Sequence, residues 1–413
     1  MNGMDHTTEI LLGLLIVFVA AQVGAEIAQR CKLPAVVGEI AAGCLIGPSV
    51  LGWVTINEPL EVLAEIGVVL LLFSVGLETR LGDLKKVGRV AALVGVAGVV
   101  LPFVLGGAWA LASGFEIPKA MFVAAAFVAT SAGITARVLQ DLGALNRIEG
   151  RVILGAAVID DILAMLLLGV VSSIQTSGGV NVLGLLLVFV QAVGFVAIVA
   201  ILGSRLMRRS SALLEVPINP LSPLTIVLAL CLALAFAASV LGLAAIIGAF
   251  LAGMIAAETQ QRHSLEKQLV PIMAFLVPFF FVITGTQVNL SELANPTALG
   301  ALLIIVILAV IGKLVGSGLG ALSLGRKSAL VVGMGMVPRG EVGIIVASLG
   351  QQAGVFNATT YALIIAMSLA TSIIAPPLLA KLIARLPPDT SGASDDDVSD
   401  TSLLILVEET GHE

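Results

Sequence analysis

The chain has 413 residues, 58% of them hydrophobic and 12% charged, with a formal net charge of −6 and a mean hydropathy of +1.11. Ordinary soluble domains are about 45–50% apolar and about 25% charged, so a soluble enzyme and a disordered chain are both excluded. Long unbroken apolar runs, in place of alternating short segments with aromatic girdles, exclude a transmembrane barrel and leave an all-α polytopic membrane protein.

The three cysteines, Cys31, Cys44 and Cys231, are far apart in the sequence and fit no metal-ligand spacing. No stretch resembles a nucleic-acid-binding patch, and neither a cofactor nor nucleic acid is expected. The first apolar run continues without a positively charged region before it and reads as a retained helix. Spans of about twenty apolar residues fall at 8–29, 34–54, 59–79, 88–113, 118–140, 147–174 and 181–205. Six more fall at 221–240, 242–259, 268–288, 297–323, 328–352 and 357–384. Thirteen helices are therefore expected.

With the N-terminus outside, alternate loops should be cytoplasmic and rich in Lys and Arg. Those loops hold Arg30, Lys32, Arg80, Lys85, Lys86, Arg89, Arg137, Arg147, Arg151, Arg205, Arg208 and Arg209. They also hold Arg262, Lys267, Arg326, Lys327, Lys381 and Arg385, so eighteen of the 21 cations lie inside and Lys119 alone outside. An N-terminus outside, a cytoplasmic C-terminus and a cell (inner) membrane location follow. The remaining two, Lys313 and Arg339, sit at the middle of apolar spans. A charge there costs at least about 2.5–3.5 kcal/mol on insertion scales and needs a partner or a watery cavity.

The sequence also repeats. LPAVVGEIAAGCLIG (33–47) matches LAAIIGAFLAGMIAA (243–257), pairing Gly38 with Gly248 and Gly43 with Gly253. LLFSVGLETRL (71–81) resembles FFVITGTQVNL (280–290), pairing Gly76 with Gly285. These relate helices 2 and 9, then 3 and 10. A shift of seven helices reverses the direction of crossing, which predicts an inverted-topology repeat with a binding site near the midplane.

Span 147–174 carries Asp160 and Asp161 at its centre. Adjacent residues on a helix project about 100° apart, so one carboxylate can face a cavity while the other pairs with a neighbouring helix. Lys313, whose span has no acid of its own, is the natural partner for one of them. Arg339 and Glu341 lie in VPRGEVG, where Pro338, Gly340 and Gly343 should interrupt the helix. The corresponding span of the other half holds Thr130, Ser131, Gly133 and Thr135 in ATSAGIT. Matching interrupted spans mark a transport site. Glu26, Glu39 and Glu65, near helix ends, are expected to reach the interface, and His263 to be solvated. The glycines of GKLVGSGLG (312–320) follow no strand, so they read as close helix contacts and not as a nucleotide loop.

Together, LPAVVGEIAAGCLIGPSVLG, EIGVVLLLFSVGLET, ATSAGITARVLQDLG, VIDDILAMLLL and VPRGEVGIIVA resemble the second monovalent cation/proton antiporter family. The Asp-Asp pair with Lys313 is most similar to its NapA-like sodium/proton branch. The resemblance runs from about residue 8 to 385. It implies a homodimer whose scaffold helices 1–3 (residues 1–86) and 8–10 (218–291) support a moving core of helices 4–6 (87–174) and 11–13 (292–385). Helix 7 (175–217) would link them, and 386–413 would be an acidic, disordered cytoplasmic tail. By the same analogy helices 5 and 12 unwind and cross near the aspartates. Asp161 would carry cation and proton, Asp160 would partner Lys313, and Thr130, Ser131 and Glu341 would surround the site.

The physical logic is independent of the resemblance. Desolvation penalises a charged carboxylate, so either a proton or Na⁺ must neutralise it, and the two compete. If only loaded states cross, the ions exchange. An intramembrane aspartyl protease would need converging carboxylates, which adjacent aspartates are not. A passive channel would conduct without proton exchange, and a potassium-efflux branch would carry cytosolic regulatory domains. Na⁺, Li⁺ and K⁺ are not distinguished by these residues.

Overall fold

A computed structural model describes residues 6–79, 81–177, 182–203, 222–288, 291–293 and 295–387. Arg80, Arg205, Arg208 and Arg209 of the expected cytoplasmic loops, and the acidic tail from residue 388 onward, lie outside the described residues. The described chain is helical in the order α1 (His6–Arg30), α2 (Ala35–Ile46), α3 (Glu58–Glu78), α4 (Leu81–Ala112), α5 (Ile117–Val128), α6 (Ala132–Asp141), α7 (Ile148–Ser177) and α8 (Val182–Ile198). It continues with α9 (Ser222–Val240), α10 (Ala245–Ala256), α11 (Arg262–Thr286), α12 (Pro296–Gly320), α13 (Arg326–Gly335), α14 (Glu341–Gln352) and α15 (Ala358–Ile383).

Three helices start on an asparagine cap. Asn57 accepts from Leu60 N, Asn295 from Thr297 N and Asn357 from Thr360 N, and each bond satisfies a donor that the first turn leaves open. Proline stands in the first turn of α3 and α12, where its missing N–H costs nothing. Pro102, Pro271, Pro278, Pro376 and Pro377 lie inside helices, a tolerance characteristic of membrane spans whose neighbours satisfy the freed carbonyls.

Among the described residues, nine stretches are long and apolar enough to cross a membrane. The expected spans at 34–54, 181–205, 242–259 and 328–352 are not among them. α2 and α10 have 12 residues each, α8 has 17, and 326–352 is split into α13 and α14. Hydropathy counts apolar residues whether or not they are helical, so it could not separate α2 from the turns that follow it, where Gly52 has φ 62°. Short helices survive here because α2 and α10 are sheathed by protein, which protects their backbone ends.

α1, α2, α3, α9, α10 and α11 pack against one another, and α4–α7 pack with α12–α15. Glycine sets the closest crossings. A Cβ on Gly43 would fall 3.0 Å from Gly285 Cα, and one on Gly253 would fall 2.9 Å from Gly76 Cα. The two glycine pairs matched in the sequence thus meet crosswise, α2 on α11 and α10 on α3. On α12, Gly312, Gly316 and Gly320 lie against Pro102, Ala97 and Val94 of α4. α1 turns Leu11, Leu15, Val19, Val23 and Ile27 outward as an apolar ridge.

Replacing Gly253 by Val should cost about 1–3 kcal/mol, because neither Gly76 nor the Phe73 carbonyl can retreat. Gly300 has open space around it, so Gly300→Ala is the matched control. Thermal unfolding in detergent should show a lower Tm for Gly253→Val alone.

Candidate functional site

The site is built on two broken helices that cross. α5 ends at Val128, and α6 begins after Ser131, whose Oγ accepts from Ile134 N at 3.5 Å. α13 ends at Gly335, and α14 begins after Gly340. Between them Pro338 has no N–H to continue a helix. Each break is held by the other. Ser131 N donates to Pro338 O at 2.8 Å, Thr135 Oγ1 to Gly335 O at 2.7 Å, and Thr130 Oγ1 to Met336 O at 3.4 Å. Gly340 makes room, since a Cβ there would stand 2.7 Å from Ser131 Oγ.

Crossing brings two helix C-termini, with their unpaired carbonyls and negative dipole ends, into the protein interior. Arg339 answers both. Its guanidinium donates from Nη2 to Phe127 O at 2.6 Å, from Nη1 to Val337 O at 2.8 Å and from Nη2 to Ala309 O at 3.1 Å. It is fully buried, and its backbone is held by Thr371 and Ser372 of α15.

α7 passes beside the crossing. Asp160 and Lys313 have no exposed surface and are paired, Nζ to Oδ1, at 2.5 Å. Thr130 and Arg339 lie within electrostatic reach of the same carboxylate, whose Oδ2 is buried without a hydrogen bond. Gly98 on α4 leaves space for Lys313 and Ser317. Asp161 points elsewhere. It lines a cavity of about 20 Å³ with Leu72, Ala132, Ala157, Ile246 and Phe250, at the seam between α6–α7 and α3–α10. That volume holds roughly one water-sized particle. A wider crevice of about 530 Å³ shares Ile246 with it and opens among Glu61, Glu65, Ser239 and Gln287.

Of the residues singled out in the sequence, Thr130, Ser131, Asp160, Lys313 and Arg339 thus stand together around the crossing, and Asp161 faces the seam. Glu341 opens α14, but its side chain lies outside the described residues. Glu39, expected to reach the interface, is instead 4% exposed, because α2 lies behind α1 and α11. Ser368, Thr371 and Ser372 were missed. Their i, i+3, i+4 spacing on an apolar helix marks a polar stripe facing inward, and that signal was available.

Comparison with known proteins agrees with this geometry. The pattern of the family described as sodium/hydrogen exchanger, transmembrane, matches residues 13–384. The chain is 36% identical to the high-affinity Na⁺/H⁺ antiporter NhaS3 of Synechocystis sp., over 90% of this chain and 89% of that one. It is 34% identical to the Na⁺/H⁺-K⁺ antiporter GerN of Bacillus cereus, over 90% and 95%. The solved structure of the sodium proton antiporter MjNhaP1 from Methanocaldococcus jannaschii superposes with a TM-score of 0.66, covering 94% of this chain and all of that one at 17% identity, which establishes a shared fold.

Substituting Arg339 by Met would strand the Phe127 and Val337 carbonyls at the two breaks, each at about 1–3 kcal/mol for a buried unpaired group. Thermal unfolding should show a large loss of stability for Arg339→Met and a smaller one for Arg339→Lys. A Met variant as stable as wild type would remove Arg339 from this role.

Proposed function

Because the chain belongs to the sodium/hydrogen exchanger family, we propose that it exchanges Na⁺, or Li⁺, for protons across the membrane at Asp161, by alternating access and without covalent chemistry. The observation that carries this reading is the division of labour between neighbours. Asp160 is tied to Lys313, while Asp161 borders a cavity of about 20 Å³ at a seam between helices. A carboxylate bordering so small a space can take either a proton or one nearly dehydrated monovalent cation, not both at once. Competition for one carboxylate couples the two fluxes in opposite directions.

The remaining parts follow from that site. α4–α7 and α12–α15 form the moving core, and α1–α3 with α9–α11 form the scaffold of a homodimer in the cell membrane. The chain crosses thirteen times, with its N-terminus outside and its C-terminus cytoplasmic. Its halves are inverted repeats, consistent with the crosswise glycine contacts. Glu61 and Glu65 then line the outer crevice and raise the local cation concentration. Thr130, Ser131 and Glu341 bracket the ion, and Arg339 holds the crossing. When a cation draws Asp160 away from Lys313, the isolated ammonium becomes unfavourable and sheds a second proton. The exchange is then electrogenic.

In proteoliposomes, Asp161→Asn should abolish cation-dependent proton flux, since the amide can neither ionise nor carry a proton. Asp160→Asn should be milder. Wild-type rates in Asp161→Asn would show that another group is the carrier. Comparing Na⁺, Li⁺ and K⁺ in the same assay decides between this reading and K⁺/H⁺ exchange, the activity that the name of GerN also carries.

Lys313→Gln should still transport but lose its sensitivity to membrane voltage, because the second proton is gone. The measurement is exchange with the potential clamped by potassium and valinomycin. A wild-type protein indifferent to voltage, or a variant as electrogenic as wild type, would leave Lys313 a structural bridge.

A further inference from the structure

The seam that holds Asp161 is treated differently at its two ends. At the end where α3 begins, the crevice with Glu61 and Glu65 reaches Ile246 on the wall of the Asp161 cavity. At the other end the seam is tied shut. α6 runs from the crossing to Asp141, ten residues or about 15 Å, and its last turn is bonded across to α3. Gln140 Nε2 donates to Glu78 Oε1 at 2.7 Å and to Ser74 Oγ at 3.1 Å. A third helix steadies the acceptor, since Arg262 of α11 donates to Glu78 O at 3.2 Å and pairs with Glu266 at 2.8 Å. Behind this knot Glu39 of α2 is buried, with Oε2 lacking any protein hydrogen bond. Arg137 and Asp141 of α6, themselves paired at 3.1 Å, act on it electrostatically.

We propose that Gln140 is the latch that closes the cytoplasmic end of the ion path while the outer end stands open, an inference that rests on the alternating-access reading above. α6 carries Ser131 and half of the crossing, so the crossing cannot move relative to α3 unless α6 slides along α3. Most of that seam is apolar, as where Gly133 lies beside Val68 and Phe280. Apolar contacts slide easily, because one methyl replaces another. A hydrogen bond to a carboxylate is short-ranged and directional, and a shift of one helical turn breaks it completely. Gln140 therefore favours one position of α6. Glu39 favours the other, since opening this end gives its orphaned oxygen access to water. Opposed preferences of this kind keep two states close in free energy, as a carrier that cycles requires.

The test measures each side separately. Without the latch the outward-open fraction falls, and apparent affinity falls with it on that side. In right-side-out vesicles, Gln140→Ala should raise the KM for Na⁺ about tenfold, the scale of one bond to a charged group. In inside-out vesicles the KM should fall. Gln140→Glu, nearly isosteric and repelled by Glu78, should do the same, whereas Glu78→Gln retains an acceptor and should shift both values less. Deuterium uptake by the purified proteins gives a second reading that needs no transport. It should quicken at 74–79 and 136–142 in Gln140→Ala and slow around 61–69. Unchanged KM values, equal changes on both faces, or an asymmetry of the opposite sign would overturn the latch, as would unchanged uptake. Absence of any exchange by the wild type would instead count against the antiporter reading.

Discussion

A carbonyl oxygen buried in a membrane has no water to turn to. Two helices are broken in the middle of this protein, so several such carbonyls meet at one place. The fold of the second helix set can be understood as the answer. Ser131 N and the hydroxyls of Thr130 and Thr135 pair with the carbonyls of α13 and its extension. Arg339 gathers Phe127, Val337 and Ala309, and α15 contributes Thr371 and Ser372 to hold Arg339 in turn. The crossing also brings in the opposite polarity, the N-terminal ends of α6 and α14. These ends stabilise negative charge, and Asp160 and Asp161 stand beside the crossing on α7.

The same economy explains why two acids are adjacent. Projecting about 100° apart, they share one turn of α7 yet have different neighbours. Lys313 and Asp160 are both withdrawn from solvent, and such a pair is tolerable only while it stays intact. Asp161 faces apolar side chains of the other helix set. Its carboxylate thus borders the space between the two helix sets. One helical turn presents one carboxylate to a buried ammonium and its neighbour to the seam.

Much of this was legible in the sequence, because charge is conspicuous in an apolar chain. Lys313, Arg339 and the aspartates stood out as ions in the middle of spans, and Pro338 with its flanking glycines marked the break. The partners of Arg339 were not legible, since main-chain carbonyls leave no trace in residue identity. Nor was the bond from Gln140 to Glu78: both lie near helix ends, where polar residues are commonplace, and only the packing of α6 on α3 joins them. Glu39 was misread for a related reason. Its distance from the helix end suggested exposure, whereas burial depends on which helices stand in front. α2 and α10 are shorter than the apolar stretches that contain them, because apolar turns and apolar helix share one hydropathy.

The crosswise glycine contacts, Gly43 with Gly285 and Gly253 with Gly76, have a mechanical meaning. Where two backbones touch without intervening side chains, no rotamer can yield and no soft layer can be compressed. The helices so joined form a stiff truss. A lever works only against a fulcrum that does not bend, and free energy released by ion binding would be dissipated in a compliant frame. These two joints make α2, α3, α10 and α11 a stiff frame for the helices packed against them.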